Sequence, residues 1–224
     1  MAQEQGLVGS VLSPAIALWL KSQAQQVGAL QVEIGGSSRQ LLGGQIPEVR
    51  VQASNIVYDG MHFRELAIAG RNIRTNLGQM MRGQPFRLLE RIDIDLEMTF
   101  DPAGFTASLD SRLWRDSRDG LATTLGEALD LGREDWRFAL ATDHLRAEQG
   151  DRVLAADFAL GGEDHLRLGG WRWLAGAADR DLAGLEGCRL CLGSDIAFDS
   201  FAVIEGEIRC RGRAVVWPDV PAAV

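Results

Sequence analysis

The decapeptide Arg91 to Phe100, RIDIDLEMTF, alternates without interruption. Ile92, Ile94, Leu96, Met98 and Phe100 fall on one face, and Asp93, Asp95, Glu97 and Thr99 on the other, because successive side chains of a strand point to opposite sides. A period of 3.6 would scatter the five apolar residues around a helix. The segment is therefore a strand with one dry and one wet face, the habit of antiparallel sheets. The acidic run DIDLE also resembles a metal cluster, but its carboxylates lie along a solvent face with no histidine or Gly-rich loop beside them. The solvated face is the preferred reading.

The stretch from Asn55 to Ile73, NIVYDGMHFRELAIAGRNI, predicts a hairpin folded at Asp59-Gly60. Both central residues of a type I′ turn need positive φ, which Asp-Gly tolerates. Ile46, Val49, Val51 and Ala53 alternate into it. On the return side, alternation slips by one residue between Phe63 and Leu66, which predicts a bulge and a bent strand.

Ser13-Pro14 reads as a helix cap followed by the first helical position, giving a helix over about 13–28 closed by Gly28. Val32 and Ile34 suggest a short strand. Asp101-Pro102 repeats the capping chemistry and opens a central helical region over about 101–131. There Phe105, Leu109 and Leu113 form one stripe and Leu121, Leu125 and Leu129 a second. The polar run RDSRDG, ending in Gly120, separates two tandem helices or interrupts one long helix. Beyond it, pairs such as Phe138 and Leu140, Leu166 and Leu168, and Trp171 and Trp173 predict further strands, with one slip before Phe158. Leu190 and Leu192 precede Ile196 and Phe198. A last strand is expected from Val203 to Trp217, ended by Pro218 and Pro221. No linker or low-complexity run divides the chain, so residues 1–224 are read as one domain.

Formal charge is −8, which disfavours nucleic acid as a partner. The charge is uneven: residues 1–90 hold eight basic and six acidic side chains, and the rest hold fifteen and twenty-five. Arg64, Arg71, Arg74, Arg82, Arg87 and Arg91 cluster in sequence, as a candidate contact for anionic headgroups or as a solvated loop face. Met80 and Met81, on a Gly- and Pro-bounded segment, suit a mobile lid or an adaptable greasy surface, or a loop tucked on the core. There is no secretory signal and no transmembrane run, so the expectation is a cytoplasmic protein, peripheral to a membrane at most.

Chemistry-bearing motifs are missing. Neither Gly-x-Ser-x-Gly nor His-Glu-x-x-His surrounds His62, His144 or His165, and Lys21 is the only lysine, which leaves no phosphate-loop lysine. Cys188 and Cys191 form a C-x-x-C within an apparent strand, where residues three apart face opposite ways, so structural thiols are preferred over a metal or redox pair. Cys210 completes an odd count. No catalytic residue, metal or cofactor is assigned, and the chain is not read as an enzyme. What remains is architectural: apolar-faced strands with a long helix, an α+β arrangement in which a curved antiparallel sheet wraps the helix and leaves an apolar cavity. Burying a ~16-carbon acyl chain there is worth on the order of 12 kcal/mol at about 0.8 kcal/mol per CH₂.

The run LLGGQIPEVRVQASNIVYDGMHFRELAIAGRNIRTN, followed by RIDIDLEMTFDPAGFTASL, resembles the LmeA-like phospholipid-binding family, long catalogued as a domain of unknown function. The resemblance rests on Gly43-Gly44, on the Tyr58-Asp59-Gly60 turn and on the strand that hands over at Asp101 to a helix with Ser108-Leu109. The closing LCLGSDIAFDSFAVIEGEIRCRGRAVVWP resembles cyanobacterial-type members, and the likeness spans roughly residues 10–218. It implies a tubular, TULIP-like lipid-binding fold and a phospholipid or similar amphipathic ligand, and carries over no catalytic residue. Actinobacterial members are exported or lipid-anchored, and this chain shows no export signal.

On these grounds the expected lining comprises Ile92, Ile94, Leu96, Met98 and Phe100, with Phe105, Leu109 and Leu113 from the helix. Tyr58, Met61 and Phe63 lie near one mouth, and Arg71, Arg74, Arg82 and Arg87 are the headgroup candidates. The expected function is non-catalytic binding, with transfer as an extension, of a phospholipid in an apolar tunnel at a membrane surface. The alternative is an assembly factor for a membrane complex that keeps the fold without the lipid. Oligomeric state is not readable from the sequence.

Overall fold

The computed structural model describes residues 7–80, 82–176, 180–191 and 196–218. The protein is mostly antiparallel sheet with a few helices. A six-stranded sheet, curled as a half-barrel, contains β1 (Ala29–Gly35), β2 (Gln45–Tyr58), β3 (Met61–Arg74), β4 (Ile92–Phe100), β10 (Ile196–Ile204) and β11 (Glu207–Val216), in the order β1-β2-β3-β4-β11-β10. A separate five-stranded sheet runs β5 (Arg137–Leu140), β6 (Leu145–Gln149), β7 (Arg152–Leu160), β8 (His165–Ala175) and β9 (Cys188–Cys191) in chain order. The expected strands are thus divided between two sheets.

The helices are α1 (Leu7–Gln23), α2 (Ser38–Leu42), α3 (Leu77–Met80), α4 (Pro102–Ser108) and α5 (Arg115–Ala128). The longest described has 17 residues. The first helix departs from expectation at both ends. Pro14 lies inside α1, not at its start, because the chain is already helical from Leu7. Leu12 and Ile16 are buried and Leu20 packs beside them, one stripe at four-residue spacing. After Gln23 the β2 edge captures the chain: the Gln25 N–H donates to the Val57 carbonyl at 2.9 Å and Gly28 to Ser54 at 3.0 Å.

In the central region Asp101 does cap α4, its carboxylate accepting from the Gly104 N–H at 2.6 Å, and Pro102 follows at the first turn. The break lies at 109–114, not in RDSRDG, which is the first part of α5. The Leu121, Leu125 and Leu129 stripe is buried as expected.

The Asp59-Gly60 turn has φ of 48° and 78°, the type I′ signature. The expected bulge between Phe63 and Leu66 is absent. Pairing of β2 with β3 keeps one register on either side, from Ser54 opposite Glu65 to Ile56 opposite Phe63. The slip is carried across the ladder by Asn55, whose φ is 51°, so both strands change face together. In β7 the slip before Phe158 is a true register shift between Ala155 and Asp157. The expected last strand is two, β10 and β11, joined at Glu205-Gly206 with φ of 54° and 82°. Leu192 and Pro221 lie outside the described residues.

Two apolar clusters form. The larger joins Phe100, Phe105, Trp114 and Leu125 to the inner face of the second sheet, including Leu154, Leu166 and Leu168. The smaller joins Leu12 and Ile16 of α1 to Leu41, Ile46, Ile73 and Leu77 at the opposite end of β2 and β3.

Candidate functional site

Directly paired residues of an antiparallel sheet share a face. Following the register across the six-stranded sheet gives one row of Val32, Val51, Ile68, Leu96, Gly212 and Phe198. The row on one side is Ile34, Val49, Gly70, Ile94, Ala214 and Ile196. On the other side stand Leu30, Ala53, Leu66, Met98, Cys210 and Phe201. No member of the three rows is charged. The opposite face carries Glu33, Arg50, Ala69, Asp95, Arg213 and Ala197 in one row. There Asp95 pairs with Arg71 at 3.7 Å and Glu97 with Arg211 at 3.2 Å, so the DIDLE acids are a solvated face.

The inner face is covered unevenly. At one end α1 packs on β1, and at the other α4 packs on β3, β4 and β11. Between them, Val51, Ile68, Ile94 and Leu96 join neither cluster among the described residues. Val32, Val49, Leu66, Ile68 and Ala214 are only half-buried. At about 4.8 Å between strands, each row spans roughly 24 Å. The result is an apolar bed between two packed ends, buried at Val51, Ile94 and Leu96 and partly open at Ile68 and Ala214.

The expected lining residues divide. Ile94 and Leu96 lie in the bed, and Ile92 sits at its margin against the smaller cluster. Met98, Phe100, Phe105, Leu109 and Met61 are buried in the larger cluster, with Phe63 packed on Phe100 at 5.0 Å between ring centres. Tyr58 is 54% exposed at the hairpin turn and Leu113 is 41% exposed. Leu113 leaves the stripe because α4 ends at Ser108, which resets the helical phase. Trp114 takes the interior place instead, with ring centres 5.6 Å from both Phe100 and Phe105. The four-residue spacing from Phe105 selects Leu113 and not Trp114, and only the helix break at 109–114 brings Trp114 inward.

Arg74, Arg82 and Arg87 are exposed at the end of the molecule that carries the smaller cluster. Arg71 lies apart from them on the outer face. The described residues of 76–90 are anchored at Asn76 and Phe86. Asn76, buried, donates from Nδ2 to the Pro85 carbonyl at 2.8 Å and accepts from the Arg87 N–H at 2.7 Å. Leu77 is buried, and Phe86 rests 4.9 Å from Trp19. Met81 lies outside the described residues.

Two polar-edged clefts open on the second sheet, one of about 450 Å³ over Asp157, Phe158, Arg167 and Glu186, the other of about 430 Å³ between α5 and β9. None of the expected lining residues borders either. His144 and His165 each bond the aspartate just before them, at 2.6 and 2.7 Å, and so hold Asp143 and Asp164 below the usual carboxylate range. Cys188 and Cys191 do lie on a strand, half-buried and exposed respectively, and burial raises the Cys188 thiol. Among the described residues no three His, Cys, Asp or Glu side chains converge as a metal site would, and no helix is long and apolar enough to cross a membrane.

No curated protein and no solved structure matches the chain. A family model does, over residues 4–213 of 224: by that match the chain belongs to the LmeA-like phospholipid-binding family.

Proposed function

We propose that the protein binds a phospholipid without chemistry, its acyl chains laid on the inner face of the six-stranded sheet. The observation that carries this reading is the uncharged row Val32–Val51–Ile68–Leu96–Gly212–Phe198, which runs between the two closed clusters with Ile68, in neither of them, only half-buried. Each CH₂ removed from water onto such a surface is worth about 0.8 kcal/mol, and a carrier needs little else. The reading takes residues 1–224 as one unit and the half-barrel sheet as the wall of a TULIP-like tube. Ile92, Ile94 and Leu96 are its contact residues. Met98, Phe100, Phe105 and Leu109 form the closed floor at one end, beside Met61 and Phe63. The headgroup faces the end that carries Arg74, Arg82 and Arg87, where phosphate would meet guanidinium, and the protein works as a peripheral membrane protein that loads there. Transfer between membranes follows from the same geometry.

The test is mass spectrometry of an organic extract of the purified protein, matched to native mass spectrometry of the intact complex. A stoichiometric co-purifying phospholipid is the expected result. An empty protein that stays empty after incubation with phospholipid vesicles would overturn the reading and point to an assembly role.

A further inference from the structure

We infer that the end of the molecule built from α1, α2 and residues 76–91 is a docking surface for an anionic bilayer. The inference rests on the lipid-binding reading and adds where, and against what charge, the protein meets a membrane.

Two independent kinds of side chain crowd this end. Leu18, Leu42, Leu89 and Trp217 are exposed by 71, 49, 57 and 60%, and all four border the smaller cluster. Leu18 adjoins Trp19, which packs on Phe86. The Leu42 carbonyl faces Gly78. The Leu89 N–H donates to the Arg74 carbonyl at 2.9 Å. Trp217 lies under Arg91, whose guanidinium carbon is 5.9 Å from the ring centre. Exposed apolar groups gathered in this way mark an interaction surface.

The second kind is cationic. Lys21, Arg39, Arg74, Arg82, Arg87 and Arg91 are all exposed, and none has an ion pair among the described residues. Among the described residues the acids at this end are fewer: Glu33, Glu48, Glu90, Asp93 and Asp95, of which Glu48 is engaged by Arg50 at 2.8 Å and Asp95 by Arg71 at 3.7 Å. Elsewhere Arg112, Arg172, Arg211 and Arg213 meet carboxylates, while the exposed Arg115, Arg133, Arg137 and Arg167, without an ion pair among the described residues, are scattered over α5, the second sheet and the segment joining them rather than gathered with exposed leucines. A chain of net charge −8 therefore keeps an excess of free positive charge at one end, interleaved with leucine and tryptophan. An aromatic and aliphatic rim with basic side chains is what the headgroup layer of an anionic leaflet accepts.

The geometry also connects this end to the bed. Ile92 packs against the smaller cluster and is followed on the same face of β4 by Ile94 and Leu96. A lipid leaving the leaflet here would pass from Arg74 and Leu89 directly onto the apolar rows. The Asp59-Gly60 turn lies at the other end of β2 and β3 from Arg74, and α1 reaches toward it, since Gln25 just beyond the helix bonds Val57.

The experiment is flotation with phosphatidylcholine vesicles, with and without phosphatidylglycerol, at low and high salt. Each cation near an anionic surface contributes about fivefold to partitioning. The variant with Arg74→Ala, Arg82→Ala and Arg87→Ala together is expected to lose about a hundredfold of binding to the anionic vesicles and to show a shallower salt dependence. Leu89→Glu with Leu18→Glu is expected to abolish binding, and Tyr58→Ala with Leu113→Ala to leave it unchanged. These positions are exposed, and unchanged circular dichroism and melting temperature would establish that the variants are folded. Binding that is unaffected by the arginine variant, or that is lost with Tyr58 and Leu113, overturns the docking surface. Co-purified lipid is read separately by native mass spectrometry. Lipid present in a protein that ignores vesicles refutes this inference alone, and vesicle binding by a protein that never holds lipid refutes the lipid-binding reading alone.

Discussion

The backbone N–H of His62 donates to the Ser108 hydroxyl at 2.8 Å, and that hydroxyl donates to the Gly104 carbonyl at 2.7 Å. One buried oxygen thus ties the start of β3 to α4, beside Phe105 in the larger cluster. Removing it leaves a part-buried donor without its partner, which costs about 1–3 kcal/mol. Ser108→Ala is expected to lower the melting temperature by several degrees without moving any residue of the apolar bed. Thermal melts followed by circular dichroism check this, and an unchanged melting temperature would show that water replaces the hydroxyl.

Phe105 and Tyr58, both candidate lining residues by sequence, differ fully in burial, 0% against 54% exposed. Phe105→Ala should cost about 3–5 kcal/mol, as truncations of closely packed aromatics do. Tyr58→Ala should fall within about 0.5 kcal/mol, in line with exposed positions. Urea titrations of the two variants measure the contrast directly.

Gly60 and Gly83 both have positive φ, 78° and 87°. A Cβ at Gly60 would stand 3.2 Å from the Ser111 Cα, whereas at Gly83 it would meet nothing within 4 Å. Both alanine variants carry the left-handed backbone cost of roughly 1 kcal/mol. Gly60→Ala should exceed Gly83→Ala, because the turn must also shift against the segment between α4 and α5. Equal losses in denaturant midpoint would mean that the turn yields freely.

Burial pushes the Cys210 thiol up to about 12 from an ordinary 9.0. The folded protein therefore keeps this proton at a pH where the unfolded chain has released it. Stability is untouched below about pH 9 and falls as pH rises above it, by at most about 1.4 kcal/mol per pH unit from this group. Cys210→Ala starts from lower stability but lacks that slope. Denaturant midpoints of both proteins between about pH 8 and pH 10 should converge, and parallel lines would count against the burial argument.

Ile68 sits at the centre of the uncharged rows, opposite Val51 and Leu96, and is half-buried. Ile68→Trp fills the bed without introducing charge. It is expected to reduce bound phospholipid several-fold in native mass spectra, while the melting temperature stays within a few degrees. Full lipid occupancy in the variant would place the acyl chains elsewhere.

Local periodicity carried much of the architecture. The alternation of β4, the Asp59-Gly60 turn, the Asp101 cap and the Leu121–Leu125–Leu129 stripe all appear where the residues predict them. Each depends on the geometry of a few neighbouring residues. The misread features depend on something further off. Pro14 is accepted inside α1, whose apolar stripe is buried on the smaller cluster. Glu205-Gly206 forms a turn although glutamate is a weak candidate for positive φ, because β10 and β11 are held by pairing on both sides.

The sequence by itself determined where β4 and the β2–β3 hairpin run, which face of β4 is dry, and that no charged residue interrupts that face. Side-chain alternation is a property of the extended backbone, and it needs no partner. Only the tertiary structure decided that the strands divide into two sheets, that Trp114 and not Leu113 closes the larger cluster, and that Arg74, Arg82, Arg87 and Arg91 share one end with Leu89 and Trp217. Those outcomes turn on contacts between residues tens of positions apart, selected by which apolar surfaces can be closed together, and no local pattern records that choice.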